Sequence, residues 1–269
     1  MMLGFCIVSA LAESCPRDSV RVGTVCVDKY EASVWSIPVT KESLIKKVKR
    51  GKATLGDLLD GGAVQHGCGS LPYNHVPFPS TFPETGNWTA PLYAASVPGV
   101  KPTACITWFQ ARQACALADK RLLTNDEWQT AAASTPDLGT DNGSTQCNVT
   151  DEGDANEPAN TGACPACVSA WGVFDLVGNV WEWVADWIQG DTNPWAPLTN
   201  GTTSTTYGDD LMSGTNPAQT QGNGQNFPAA LERGGSFRYG NGTDSGVFAL
   251  SAAQAPSASF VDLGFRCGR

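Results

Sequence analysis

At 269 residues the chain is long enough for a substantial core in one large domain or two small ones. It holds 29 Gly, 17 Pro and 9 Trp against only 16% charged residues, a balance that excludes a helical bundle and points to an irregular fold of short strands and many turns. A net charge of -9 with a pI near 4.6 argues against nucleic acid and anionic membrane surfaces as partners, and two histidines, His66 and His75, exclude most multi-histidine metal sites.

The first twelve residues, MMLGFCIVSALA, are a short apolar run ending in Ala-Leu-Ala. That pattern predicts a leader over 1–12 with cleavage before Glu13, although it lacks a basic n-region. The run is too short to span a membrane, and no other stretch approaches twenty apolar residues. Beyond it lie nine cysteines scattered through Gly- and Pro-rich sequence, as in disulfide-bonded exported domains. Nine is odd, so one thiol is left free or pairs outside the chain. Cys164-Pro-Ala-Cys167 has redox-motif spacing, but it lacks a strand–helix context, and structural bridging is the better reading.

Taken in order, Cys15 to Trp35 reads as two short strands. Residues 40–60 read as a basic helix with Leu44, Ile45 and Val48 on its apolar side. Its lysines are either a partner-binding patch or, more simply, a solvated face. Residues 61–103, rich in Gly, Pro, Asn and Ser, read as a long surface insertion. Two capping boxes follow, Thr107–Gln110 and Thr124–Glu127, each opening a helix. Residues 134–170 and 189–229 read as loops. Between them, Trp171 to Trp187 packs four tryptophans around a Gly178-Asn179 turn, with Asp175, Glu182 and Asp186 set among them. Aromatic bulk of this kind predicts core, and carboxylates placed in core need compensation.

The ordered segments KYEAS, ITWFQARQAC, KRLLTNDEW, GVFDLVGNVWEW, RGGSF and LGFRC resemble the formylglycine-generating enzyme (sulfatase-modifying factor) family over about residues 20–269. The resemblance implies an α+β, C-type-lectin-like fold: two helices, a small antiparallel sheet and extensive loops, as a single domain over 13–269. It also implies a disulfide between Cys115 and Cys267. The family's calcium ligands map onto Asp175, the carbonyls of Gly178 and Val180, and Glu182, an oxygen set suited to structural calcium. The alternative is that the two carboxylates are hydrogen-bonded without metal.

The family's chemistry does not carry over. The two copper-binding cysteines beyond the GGS motif correspond to Tyr239 and Asp244, which cannot form a thiolate site, so neither copper nor iron is expected. A related branch holds iron with three histidines, more than this chain has.

The last segment, GTDSGVFALSAAQAPSASFVDLGFRC, resembles the variable region of diversity-generating retroelement target proteins, which share the lectin-like fold. On that frame Phe237, Arg238, Tyr239, Asp244, Ser251, Ala253, Gln254, Ala258, Phe260 and Asp262 fall at or near variable slots within 234–267. Their mix of aromatic, small and polar side chains suits a recognition surface. The expectation is an exported, non-catalytic protein that binds a protein or glycan ligand, with retroelement diversification as a further possibility. The alternatives are a formylglycine-generating-type oxidoreductase acting on protein cysteines, and a structural surface protein without a ligand.

Overall fold

The computed structural model describes residues 14–137, 147–149, 157–188, 204–207, 210–213, 229–238 and 244–269. The predicted leader and Tyr239 lie outside the described residues.

Strands β1 (Ser19–Val22) and β2 (Val25–Asp28) form a hairpin, and a third strand, β3 (Ser33–Ser36), follows where two strands are predicted. The basic stretch is two helices, α1 (Glu42–Lys49) and α2 (Leu55–Asp60). The break arises because Thr54 accepts the Asp57 N–H while the Asp57 carboxylate accepts the Thr54 N–H, a capping box that starts a separate helix. Leu44 and Val48 are buried, as the apolar side predicts.

Residues 61–103 are not a surface insertion. They contain β4 (Val64–His66) and β5 (Tyr93–Ala95), which flank β3 in a three-stranded sheet. They also place Phe82, Leu92, Tyr93 and Val97 in the main core. The turn formers dominate the composition, but the aromatic and aliphatic residues between them carry enough apolar area to bury the segment.

Helix α3 (Trp108–Leu117) and helix α4 (Asn125–Ala131) both start at the predicted capping boxes. Ala111, Cys115 and Ala118 of the first and Trp128, Ala131 and Ala132 at the second face the core. Between them β6 (Arg121–Leu122) joins a four-stranded sheet in the order β1–β2–β13–β6, where β13 is Cys267–Gly268.

The six-stranded sheet positions the site. Its order is β12–β7–β10–β11–β9–β8, from β7 (Trp181–Ile188), β8 (Ser204–Tyr207), β9 (Asp210–Ser213), β10 (Ala229–Arg233), β11 (Leu250–Gln254) and β12 (Leu263–Phe265). Strands β8 and β9 form a hairpin within the stretch predicted to be loop. The Gly178-Asn179 turn is as predicted: both residues have positive φ, +72° and +57°, and the Asn179 N–H donates to the Asn148 carbonyl at 2.8 Å. The described residues hold four helices and three sheets where two helices and one small antiparallel sheet are expected, and the β11–β9 and β12–β7 pairs are parallel; the class is the expected α+β, C-type-lectin-like fold.

Four disulfides close the structure: Cys15–Cys26, Cys68–Cys105, Cys115–Cys267 and Cys147–Cys167. Cys164 is the free thiol among the described residues. Because Cys167 bridges Cys147, the Cys164–Cys167 spacing does not form a redox pair.

The RGGS motif turns the chain from β10 toward the C-terminal segment. Gly235 has φ +83°, and a Cβ there would overlap both the backbone and the side chain of Ser245. We expect Gly235→Ala to cost about 2–3 kcal/mol, combining the left-handed backbone with steric displacement. A lower midpoint in urea at unchanged slope is the expected reading, and an unchanged midpoint would show that the Ser245 segment yields freely.

Candidate functional site

The C-terminal segment, together with β7, β10 and β11, lines an open cavity of about 410 Å³. Its walls are Trp181 from β7, Leu250, Ser251, Ala253 and Gln254 from β11, and Phe260, Asp262 and Leu263 ahead of and within β12. Arg238, Asp244 and Glu232 of β10 complete the lining. The period of two along β11 explains part of this arrangement. Ala252 is fully buried in a hydrophobic cluster, while Ser251 and Ala253 on the other face are half-exposed to the cavity.

Seven of the ten positions predicted for ligand contact line this one cavity: Arg238, Asp244, Ser251, Ala253, Gln254, Phe260 and Asp262. Phe237 does not. It is 3% exposed and packs in a small cluster with Cys68, Tyr73, Ala104 and Val180. Ala258 is partly buried in the turn after β11, its N–H donating to the Ala255 carbonyl, and it is not on the cavity wall.

The polar groups are held firmly. Ser236 Oγ donates to Asp262 Oδ2 at 3.0 Å, and Arg238 Nη1 stands 3.8 Å from Asp262 Oδ1. The Asp262 carbonyl accepts the Trp181 N–H, tying the wall to β7. Burial lifts the Asp262 pKa above the usual carboxylate value, against the opposing pull of Ser236 and Arg238.

Sequence reasoning missed Glu232. It pairs with Trp183 on one side and Ser251 on the other, after a bulge in β10. It is 4% exposed, and its Oε1 has no hydrogen-bond partner among the described residues. Burial first, and then the nearby Asp262 carboxylate, raise its pKa well above that of an ordinary glutamate. The signal was available: Glu232 is an acidic side chain in Ala-Ala-Leu-Glu-Arg, whose five residues are all buried.

The predicted calcium ligands occupy a different place, under β7. Here Arg266 donates to Glu182 Oε1 through Nη2 at 2.7 Å and Nε at 3.1 Å, and Trp128 Nε1 donates to Glu182 Oε2 at 2.8 Å. The rest of the Arg266 guanidinium bonds the carbonyls of Asp28 and Phe174. Asp175 Oδ2 accepts the Gly162 N–H at 2.7 Å. Val180 turns its N–H toward Glu31 Oε1, whose second oxygen accepts from Asn179.

The protein therefore compensates Glu182 with a buried arginine, leaving it poorly available as a ligand for a hard cation. Among the described residues no group of three or more His, Cys, Asp or Glu is arranged to hold a metal ion. We expect chelation of divalent ions to leave the melting temperature unchanged, and a fall on adding chelator would restore the metal.

The Sulfatase-modifying factor enzyme 1-like domain family matches residues 33–269, and the chain belongs to that family. It is 35% identical over 130 residues to hercynine oxygenase of Mycolicibacterium smegmatis, an alignment covering 41% of this chain and 29% of that protein. It is 32% identical over 105 residues to formylglycine-generating enzyme of Thermomonospora curvata, covering 34% and 35% respectively. Inactive C-alpha-formylglycine-generating enzyme 2 of Bos taurus is 33% identical over 101 residues, covering 33% of this chain and 34% of that one. The alignments thus span about a third of each curated relative. Among solved structures, the Major Tropism Determinant M1 variant aligns with a TM-score of 0.48 at 18% identity, over 94% of this chain and 52% of the other.

Proposed function

We propose that this chain is an exported ligand-binding member of its family, with the C-terminal cavity as its recognition site. The observation that carries the reading is the convergence of seven variable-frame positions on one cavity whose described lining has no thiol or imidazole. With Arg238, Asp244, Asp262 and Glu232 as its charged groups, the cavity offers ion pairs and hydrogen bonds within apolar walls. Those are the features of a binding pocket. Export is supported by the four disulfides, which persist in oxidising compartments. Diversification of the cavity wall by a retroelement is consistent with β11 and the residues before β12 forming a frame around replaceable side chains.

The test is a selection from a displayed random peptide library and a glycan array, repeated with Ala253→Trp. That substitution should fill the cavity from β11 without altering its charges. Ligands selected by the parent protein should lose roughly tenfold or more in affinity. Ligands that bind both proteins equally would place recognition elsewhere.

A further inference from the structure

Glu232 sets the chemistry that the cavity is suited to receive. A carboxylate is stable in a buried position when a cation or several donors meet it. Among the described residues the nearby arginines are otherwise engaged: Arg238 faces Asp262, Arg266 is bonded to Glu182, and Arg233 lies over the Trp128 ring and donates to Gln129 and the Val247 carbonyl. The neighbours of Glu232 on the sheet, Trp183 and Ser251, bring no positive charge. The remaining charged groups on the lining, Asp244 and Asp262, are acidic. Four charged side chains line the cavity, three of them acidic, and Glu232 has an oxygen with no protein partner among the described residues. Around them Trp181, Leu250, Phe260 and Leu263 supply apolar and aromatic surface.

Resting on the reading of this cavity as the recognition site, we propose that it takes the protonated amine or guanidinium end of a ligand, seated on Glu232 with its apolar stem along Trp181 and Leu263. An arginine or lysine side chain presented by a protein ligand has this form. The bound cation would meet the Glu232 oxygen that has no partner among the described residues, and the aromatic walls favour a cation at close range. A volume of about 410 Å³ holds one such side chain with its flanking backbone.

The experiment uses the full chain and blocked amino acids: N-acetyl-arginine methylamide and N-acetyl-lysine methylamide, with the matching citrulline and norleucine compounds as neutral controls and agmatine as a free cation. Binding is measured by calorimetry and by NMR up to about 10 mM. At least one cationic probe should bind roughly tenfold more tightly than either neutral control. Binding by agmatine alone would still support the cation site while pointing to a free amine instead of a protein side chain.

Glu232→Gln should remove that preference while melting no lower than the parent, since it replaces a buried carboxyl group whose Oε1 has no partner among the described residues. Should that variant fail to fold, Ala253→Trp serves instead and should abolish cation binding. Equal binding of citrulline and arginine probes, undiminished binding by folded Glu232→Gln, or no cation binding in the tested range would overturn the proposal. Library-selected ligands that remain sensitive to Ala253→Trp in those cases would leave the cavity as the recognition site and reject only its preference for cations. Ligands indifferent to Ala253→Trp would instead reject the cavity.

Discussion

Replacing Arg266 with Met is expected to cost about 3–5 kcal/mol, the range for removing one partner from a buried ion pair. The guanidinium is fully buried and bonds Glu182 while also satisfying the carbonyls of Asp28 and Phe174. Methionine fills part of the volume but leaves the Glu182 carboxylate with Trp128 alone, in a region that already contains Glu31 and Asp175. Burial, followed by the Asp175 and Glu182 charges, already raises the Glu31 pKa well above normal, and burial raises that of Asp175 to about 6.

Without Arg266 these values rise further, so near neutral pH the folded state binds more protons than the unfolded state. Stability of the variant should therefore increase as pH falls from neutral toward 5, opposite in sign to a carboxylate whose folded pKa is depressed. Chemical denaturation at several pH values checks both the size and the slope. A loss below 1 kcal/mol would mean that solvent or a bound cation already shares the compensation of Glu182.

A loss of similar size is expected on removing the Cys115–Cys267 bridge with a double alanine substitution. The bridge ties α3 to the final strand across 152 residues, and closing a loop of that length limits the unfolded chain by about 5 kcal/mol in the chain-entropy description. The nested Cys147–Cys167 bridge shortens the effective loop by 20 residues, which changes the logarithm little. Both sulfurs are fully buried, so their loss also leaves a packing defect in the main core. The measured quantity is the denaturant midpoint of the oxidised variant. A shift of under 1 kcal/mol would show that residual structure in the unfolded chain already holds these two ends together.

Local signals are legible in this chain and distant compensation is not. The capping boxes at Thr107 and Thr124 and the Gly178-Asn179 turn depend on residues three or fewer apart, and the structure contains all of them. Asp175 and Glu182 were recognised as needing compensation, but the group that answers Glu182 is Arg266, 84 residues later. The segment over 61–103 reads as surface because Gly and Pro outweigh Phe82, Leu92 and Tyr93, whose burial depends on a sheet formed with β3. Glu232 stands beside the glycines of the RGGS motif, and nothing local in the sequence marks it as part of the C-terminal cavity. Its meaning emerges only when β11 and the Phe260–Leu263 segment close around it.

The most direct measurement is chemical-shift mapping of a library-selected ligand on the isotopically labelled protein. The cavity reading predicts the largest changes at Ser251–Gln254, at Phe260–Leu263 and at the Trp181 indole. Changes centred instead on the separate cavity beside Phe78, Glu84 and Ser259, or on the basic face of α1, would contradict it.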